Sequence, residues 1–78
     1  METALQEIRA ERARQDAKWG ADRRLDPRTW LAVLVEEVGE VARADLEADY
    51  DNYVVELVQV AAVAVAAIQS ARLQMECR

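Results

Sequence analysis

Between Asp51 and Arg72 the chain carries a single formal charge, Glu56. The rest of that stretch is nearly all Val, Ala, Leu and Ile, with no Pro or Gly to interrupt it. It reads as one helix, from about Tyr53 to Gln74, with almost no polar face. A helix that is apolar all round must be covered on several sides. In a chain of 78 residues, two further helices are all that is available for the task. Three helices of this size cannot wrap one of their own completely. The expectation is an all-α fold in which helices 2 and 3 form an antiparallel pair. The bundle is completed by self-association, most simply as a symmetric homodimer.

The remaining sequence supplies the other two helices within a single domain, residues 1–78. Thr3 and Gln6 have the spacing of a capping box, and Gly20 follows Trp19 where a helix stop is expected. Helix 1 should lie between them, with sparse apolar positions (Leu5, Ile8, Trp19) that make it the most solvated of the three. Asp26-Pro27 has the form of an N-cap followed by Pro at the first helical position. Helix 2 is then expected from about Arg28 to Ala48, with Leu31, Leu34, Val35, Val38 and Val41 as its core stripe. Gly39, in the middle of that helix, predicts a close approach by another helix or a ligand. Asp49-Tyr50-Asp51-Asn52 reads as the turn and cap before helix 3.

Composition narrows the function classes. With 53% apolar and 32% charged residues the chain is globular and not disordered. A net charge of -5 argues against sequence-independent nucleic-acid binding, which needs a basic footprint. There is no histidine, so histidine bases, triads and histidine-ligated zinc are excluded, and any chemistry falls to carboxylates, an amide, Lys or Arg, hydroxyls or a bound metal. Cys77 has no partner in the chain, which suits a reducing cytoplasm. The charged N-terminal segment does not resemble a leader. The longest apolar run, Val60 to Ile68, is short of the ~20 residues that span a bilayer, so no membrane role is expected.

Acidic residues nevertheless recur inside apolar helix. Leu34-Val35-Glu36-Glu37-Val38-Gly39-Glu40-Val41 is answered by Glu56-Leu57-Val58-Gln59. Glu37 and Glu40 lie within about 60° of each other on a helix, beside Trp30, Leu34 and Val41, while Glu36 points further round. Glu56 and Gln59 share the face that carries Val60 and Val63. Two such pairs on antiparallel helices can bring four oxygen-bearing side chains together, as carboxylate metal sites in bundles do. Oxygen ligands without histidine favour Mg²⁺ or Mn²⁺ over Zn²⁺. The competing reading is a solvated edge, with Glu36, Glu40 and Arg43 forming helical ion pairs.

Glu36-Glu37-x-x-Glu40, followed by Glu56-x-x-Gln59, resembles the EExxE and ExxD motifs of the MazG-type all-α nucleoside triphosphate pyrophosphohydrolases. The likeness extends from Leu31 to Ile68, and Gln15-Asp16-Ala17-Lys18-Trp19-Gly20 resembles the segment preceding the first motif in short, phage-type members. The resemblance implies a dimer or tetramer that binds Mg²⁺, with Mn²⁺ as a possible substitute, and cleaves a nucleoside triphosphate to the monophosphate and pyrophosphate. It implies Glu37, Glu40 and Glu56 as metal ligands, with Gln59 standing where the family has Asp. An amide oxygen can ligate Mg²⁺ but brings no charge, so metal should be held more weakly. Glu36 or Glu37 is the candidate base to orient the attacking water. Lys18, Arg28 and Arg43 are candidates to neutralise phosphate charge, and Trp19 is a candidate to stack on the base. Trp30, beside the core stripe, is expected to pack instead. Two other readings are a non-catalytic nucleotide- or metal-binding relative and a plain helical oligomerisation module.

Overall fold

The computed structural model describes residues 2–76, so Cys77 lies outside the described residues. The chain is all-α: α1 (Glu2–Trp19), α2 (Pro27–Leu46) and α3 (Tyr50–Glu76). α3 is central. α2 packs antiparallel to it, α1 packs on another side, and α1 and α2 make no direct backbone approach among the described residues.

Local chemistry sets most of the helix ends. Asp26 caps α2, its Oδ1 accepting from the Arg28 amide at 2.7 Å, and Pro27 occupies the first turn. Gly20 ends α1 at φ +97°, and its N–H donates to the Asp16 carbonyl at 2.9 Å. Thr3 is inside α1 and is not its cap. α2 stops two residues sooner than expected, because Ala48 takes the left-handed conformation at φ 55°. The Ala48 and Asp49 amides then donate back to the Asp45 and Ala44 carbonyls, at 3.1 and 3.0 Å, closing the last turn. α3 begins three residues sooner than expected. Asp49 caps it, accepting from the Asn52 amide at 3.2 Å, and Tyr50 to Asn52 are its first turn.

The face that α2 turns toward α3 also differs from the expected stripe. Trp30 and Ala44 are buried, with Val33, Leu34, Glu37 and Val41 half-buried between them. Leu31, Val35 and Val38 are instead 59%, 61% and 51% exposed. Apolar side chains cover more than half of α2, so two stripes are available, and the one chosen fits Trp30 against Val63 and Ala66. Gly39 has nothing within 4 Å of where a Cβ would stand, so no helix of the same chain approaches it.

α3 is 27 residues long, with a mean hydropathy of 1.8 over its most apolar 18 residues, of which only 22% are buried. Length and composition alone would let it cross a membrane. The centre of a small bundle needs the same composition, and α1 and α2 flank it here. The most buried residue of α1 is polar: Gln15, 4% exposed, accepts from Arg12 at 3.2 Å and donates to Glu11 at 3.1 Å. Arg12 reaches on to Gln69 of α3 at 3.1 Å, so a relay of polar groups docks this helix.

Candidate functional site

Because Glu37 shares the inward face of α2 with Leu34 and Val41, the α2–α3 packing brings it up to the first half of α3. There it meets Glu56 and Gln59, which lie one helical turn apart. The hydrogen-bonding neighbours fix the Gln59 amide with its NH₂ toward the acids. In that orientation it donates to Glu37 Oε2 at 3.0 Å and to Glu56 Oε2 at 3.2 Å. All three side chains are half-buried. A neutral amide thus bridges two carboxylates across the helix pair.

The electrostatics of Glu37 reflect that crowding. Desolvation by its surroundings raises its pKa first, and the charges of Glu56, Glu36 and Glu40 raise it further. A hydrogen bond with Glu56 adds to the effect, and such a bond between two carboxyls requires one of them to hold a proton. Negative charge is therefore concentrated here beyond what the local donors neutralise.

Glu36 is exposed and belongs to the outer edge of this cluster. Glu40 is half-buried, and Arg43 Nη1 stands 3.9 Å from its Oε2, a loose pair on the solvent side. Among the described residues no three acidic side chains form a closed set of metal ligands. The donor set that does converge is Glu37, Glu56 and the Gln59 amide. This set fits Mg²⁺, an ion that commonly keeps several waters and takes only one or two protein carboxylates together with substrate phosphates. Binding through Gln59 requires its amide to turn, so that Oε1 replaces the NH₂ that now faces the acids.

The expected phosphate-binding residues are not brought together within one chain. Arg28 and Arg43 are fifteen positions apart on α2, about 22 Å along the helix axis, much longer than a triphosphate. Only Arg43 lies at the acidic end. Lys18 and Trp19 lie at the other end, where the Lys18 Nζ is 4.7 Å from the Trp19 ring centroid. Arg23, which no motif singled out, stands 5.3 Å from the Trp19 ring and 5.0 Å from that of Trp30, so its guanidinium faces both indoles. Trp19 is 48% exposed, whereas Trp30 is in the core.

These shifts set an expected pH dependence. Folding raises the proton affinity of Glu37, so the folded protein binds more protons than the unfolded chain above the ordinary carboxylate range. Stability contributed by this group is full below that range and is lost as pH rises through the raised value. Glu11 acts in the opposite sense. Its hydrogen bond from Arg14, chiefly, lowers its pKa, so its contribution is lost only as pH falls below the ordinary range. Metal-free protein is therefore expected to resist urea better at about pH 5 than at about pH 7.5. Glu37→Gln should flatten that difference, and an unchanged slope in the variant would refute the assignment.

Comparison of the chain with protein-family models, curated proteins and solved structures gives no match.

Proposed function

We propose that the protein is a metal-dependent nucleoside triphosphate pyrophosphohydrolase of the MazG-like kind, acting in the cytoplasm on (d)NTPs. The observation that carries the reading is the meeting of Glu37, Glu56 and Gln59 across α2 and α3, with Glu36 and Glu40 at its edge. When bound, Mg²⁺ or Mn²⁺ supplies charge to neutralise triphosphate oxygens and to acidify a water. Glu37, Glu56 and the Gln59 oxygen would hold the cation, with Glu40, whose contact with Arg43 is loose at 3.9 Å, as a further ligand. Glu36, exposed beside the site, orients the attacking water and accepts its proton. Arg43 is then free to face phosphate.

The same reading includes self-association, at least as a dimer. Leu31, Val35 and Val38 form an exposed row on α2, and Leu31 and Ile68 wall an apolar groove of about 330 Å³. In this reading a partner subunit is the source from which Lys18, Trp19 and Arg28 would reach an acidic site.

One observation favours a second reading. Gln59 already satisfies both carboxylates with its own N–H groups, as a structural clasp would. A turnover assay separates the two. Each common NTP and dNTP is incubated with Mg²⁺ and then Mn²⁺, and pyrophosphate and orthophosphate are detected separately. Pyrophosphate release that is lost in Glu37→Gln is the expected result. No turnover, with nucleotide and Mg²⁺ still raising the melting temperature, would make this a binding protein. No turnover and no stabilisation would leave the clasp.

A further inference from the structure

We propose that the junction of the three helices holds one internal water molecule, which links α1 to α2 where the two helices do not otherwise pack. Three buried polar atoms lack a hydrogen-bond partner among the described residues: Arg12 Nε, Asp16 Oδ1 and Trp30 Nε1. Their three residues line one small cavity, to which α3 contributes Ala66, Gln69, Ser70 and Leu73. Trp30 is 4% exposed, so its indole N–H has no access to bulk solvent. A buried indole N–H normally finds a partner, and a buried polar group without one is costly.

The size and the donor set identify the occupant. The cavity gives a water-sized sphere about 10 Å³ of room, close to the least that holds a single water and too little for anything larger. Arg12 Nε and Trp30 Nε1 are both donors, which calls for an acceptor at the centre. An anion is disfavoured because the third group, Asp16 Oδ1, is an acceptor with negative charge. Arg12 Nη2 stands 3.0 Å from that oxygen, but the pair lacks hydrogen-bond alignment, which leaves Oδ1 its lone pairs. Water satisfies all three groups: it accepts from the indole and from the guanidinium Nε, and donates to the carboxylate. Three partners fall within the two to four typical of buried waters. The other nitrogens of Arg12 are committed to Gln15 and Gln69, so the same guanidinium that docks α1 on α3 is extended by the water to α2.

The test uses the intact, ¹⁵N-labelled protein and water itself as the probe. With tryptophans only at positions 19 and 30, two indole N–H signals are expected, assigned with Trp19→Phe. The Trp30 indole proton should show water cross-peaks of opposite sign in NOE and ROE spectra, the mark of a water held far longer than those of the surface hydration layer. The exposed Trp19 indole is the internal reference for contact with fast-moving solvent. Asp16→Leu, which fills the cavity with apolar atoms, should abolish the Trp30 cross-peak. Ser70→Ala should leave it in place, because the Ser70 hydroxyl is not one of the three partners. Absence of the cross-peak in the wild type would overturn the proposal, by showing that no long-lived water sits at the Trp30 indole N–H. Its loss in Ser70→Ala would do the same, by showing transfer through the hydroxyl.

Discussion

Glu56→Ala is expected to abolish stabilisation of the protein by Mg²⁺ while leaving the metal-free fold intact. In chelator, the substitution removes the neighbouring charge that acts most strongly on Glu37, and Gln59 keeps its 3.0 Å bond to Glu37. One repulsion and two half-buried hydrogen bonds, one from Gln59 and one with Glu37, are lost together, so metal-free stability should change by no more than about 1 kcal/mol, in either direction. The metal-dependent term behaves differently. A cation present at ten times its dissociation constant adds ~1.4 kcal/mol to the wild type. For a domain of this size each kcal/mol moves the melting temperature by about 4–8 °C, so the wild type should gain a shift that the variant lacks. Melting curves of both proteins, with and without Mg²⁺, read the two terms separately. A variant that is already unfolded in chelator would identify Glu56 as a structural partner of Gln59 and would count against the metal site. The pH dependence assigned to Glu37 should weaken in the same variant, because Glu56 contributes both its charge and a hydrogen bond to that shift.

The elements of this fold were legible because short-range chemistry writes them. Asp26-Pro27 and Gly20 are local signals, and the structure uses both as the sequence suggests. The i,i+3 spacing of Glu56 and Gln59 determines that they share a face whatever else happens to α3. Other features depend on partners that are distant in the sequence. α2 has apolar residues on more than one face, so periodicity alone could not choose between the Leu31–Val35–Val38 row and the Trp30–Leu34–Glu37–Val41–Ala44 row. The fit of Trp30 over the small Ala66 makes that choice. Ala48 in the left-handed region carries no signal in its own identity, since Gly or Asn is the usual residue there. The polar docking of α1 was equally hidden: Gln15 is a surface residue by type, and only its neighbours Glu11 and Arg12 explain its burial. The candidate site divides along the same line. Contacts between positions three apart could be anticipated, whereas the separation of Lys18, Trp19 and Arg28 from Arg43 followed from helix length and direction.

Gln59→Asp should change stability in opposite directions with and without metal, and this makes it the sharpest test of the site. Without metal, the two N–H donors that now bridge Glu37 and Glu56 disappear, and a third carboxylate takes their place. Hydrogen bonds to charged groups contribute about 1.5–3 kcal/mol when well buried, and the half-exposed setting reduces that. A metal-free loss of about 1–2 kcal/mol is expected, with the proton affinity of Glu37 driven higher still. With Mg²⁺ the sign reverses, because the added charge turns two carboxylates and an amide into three carboxylates, and the cation no longer needs the amide to turn before it binds. Titration of Mg²⁺ into each protein, followed by calorimetry and by melting temperature, should give tighter binding by the variant and recovery to wild-type stability or beyond. Equal destabilisation at every Mg²⁺ concentration would sink the metal site and leave Gln59 as the clasp that holds α2 to α3. That contrast follows from one property of an amide: it can face the acids as a donor or face a cation as a ligand, but it cannot do both with the same end.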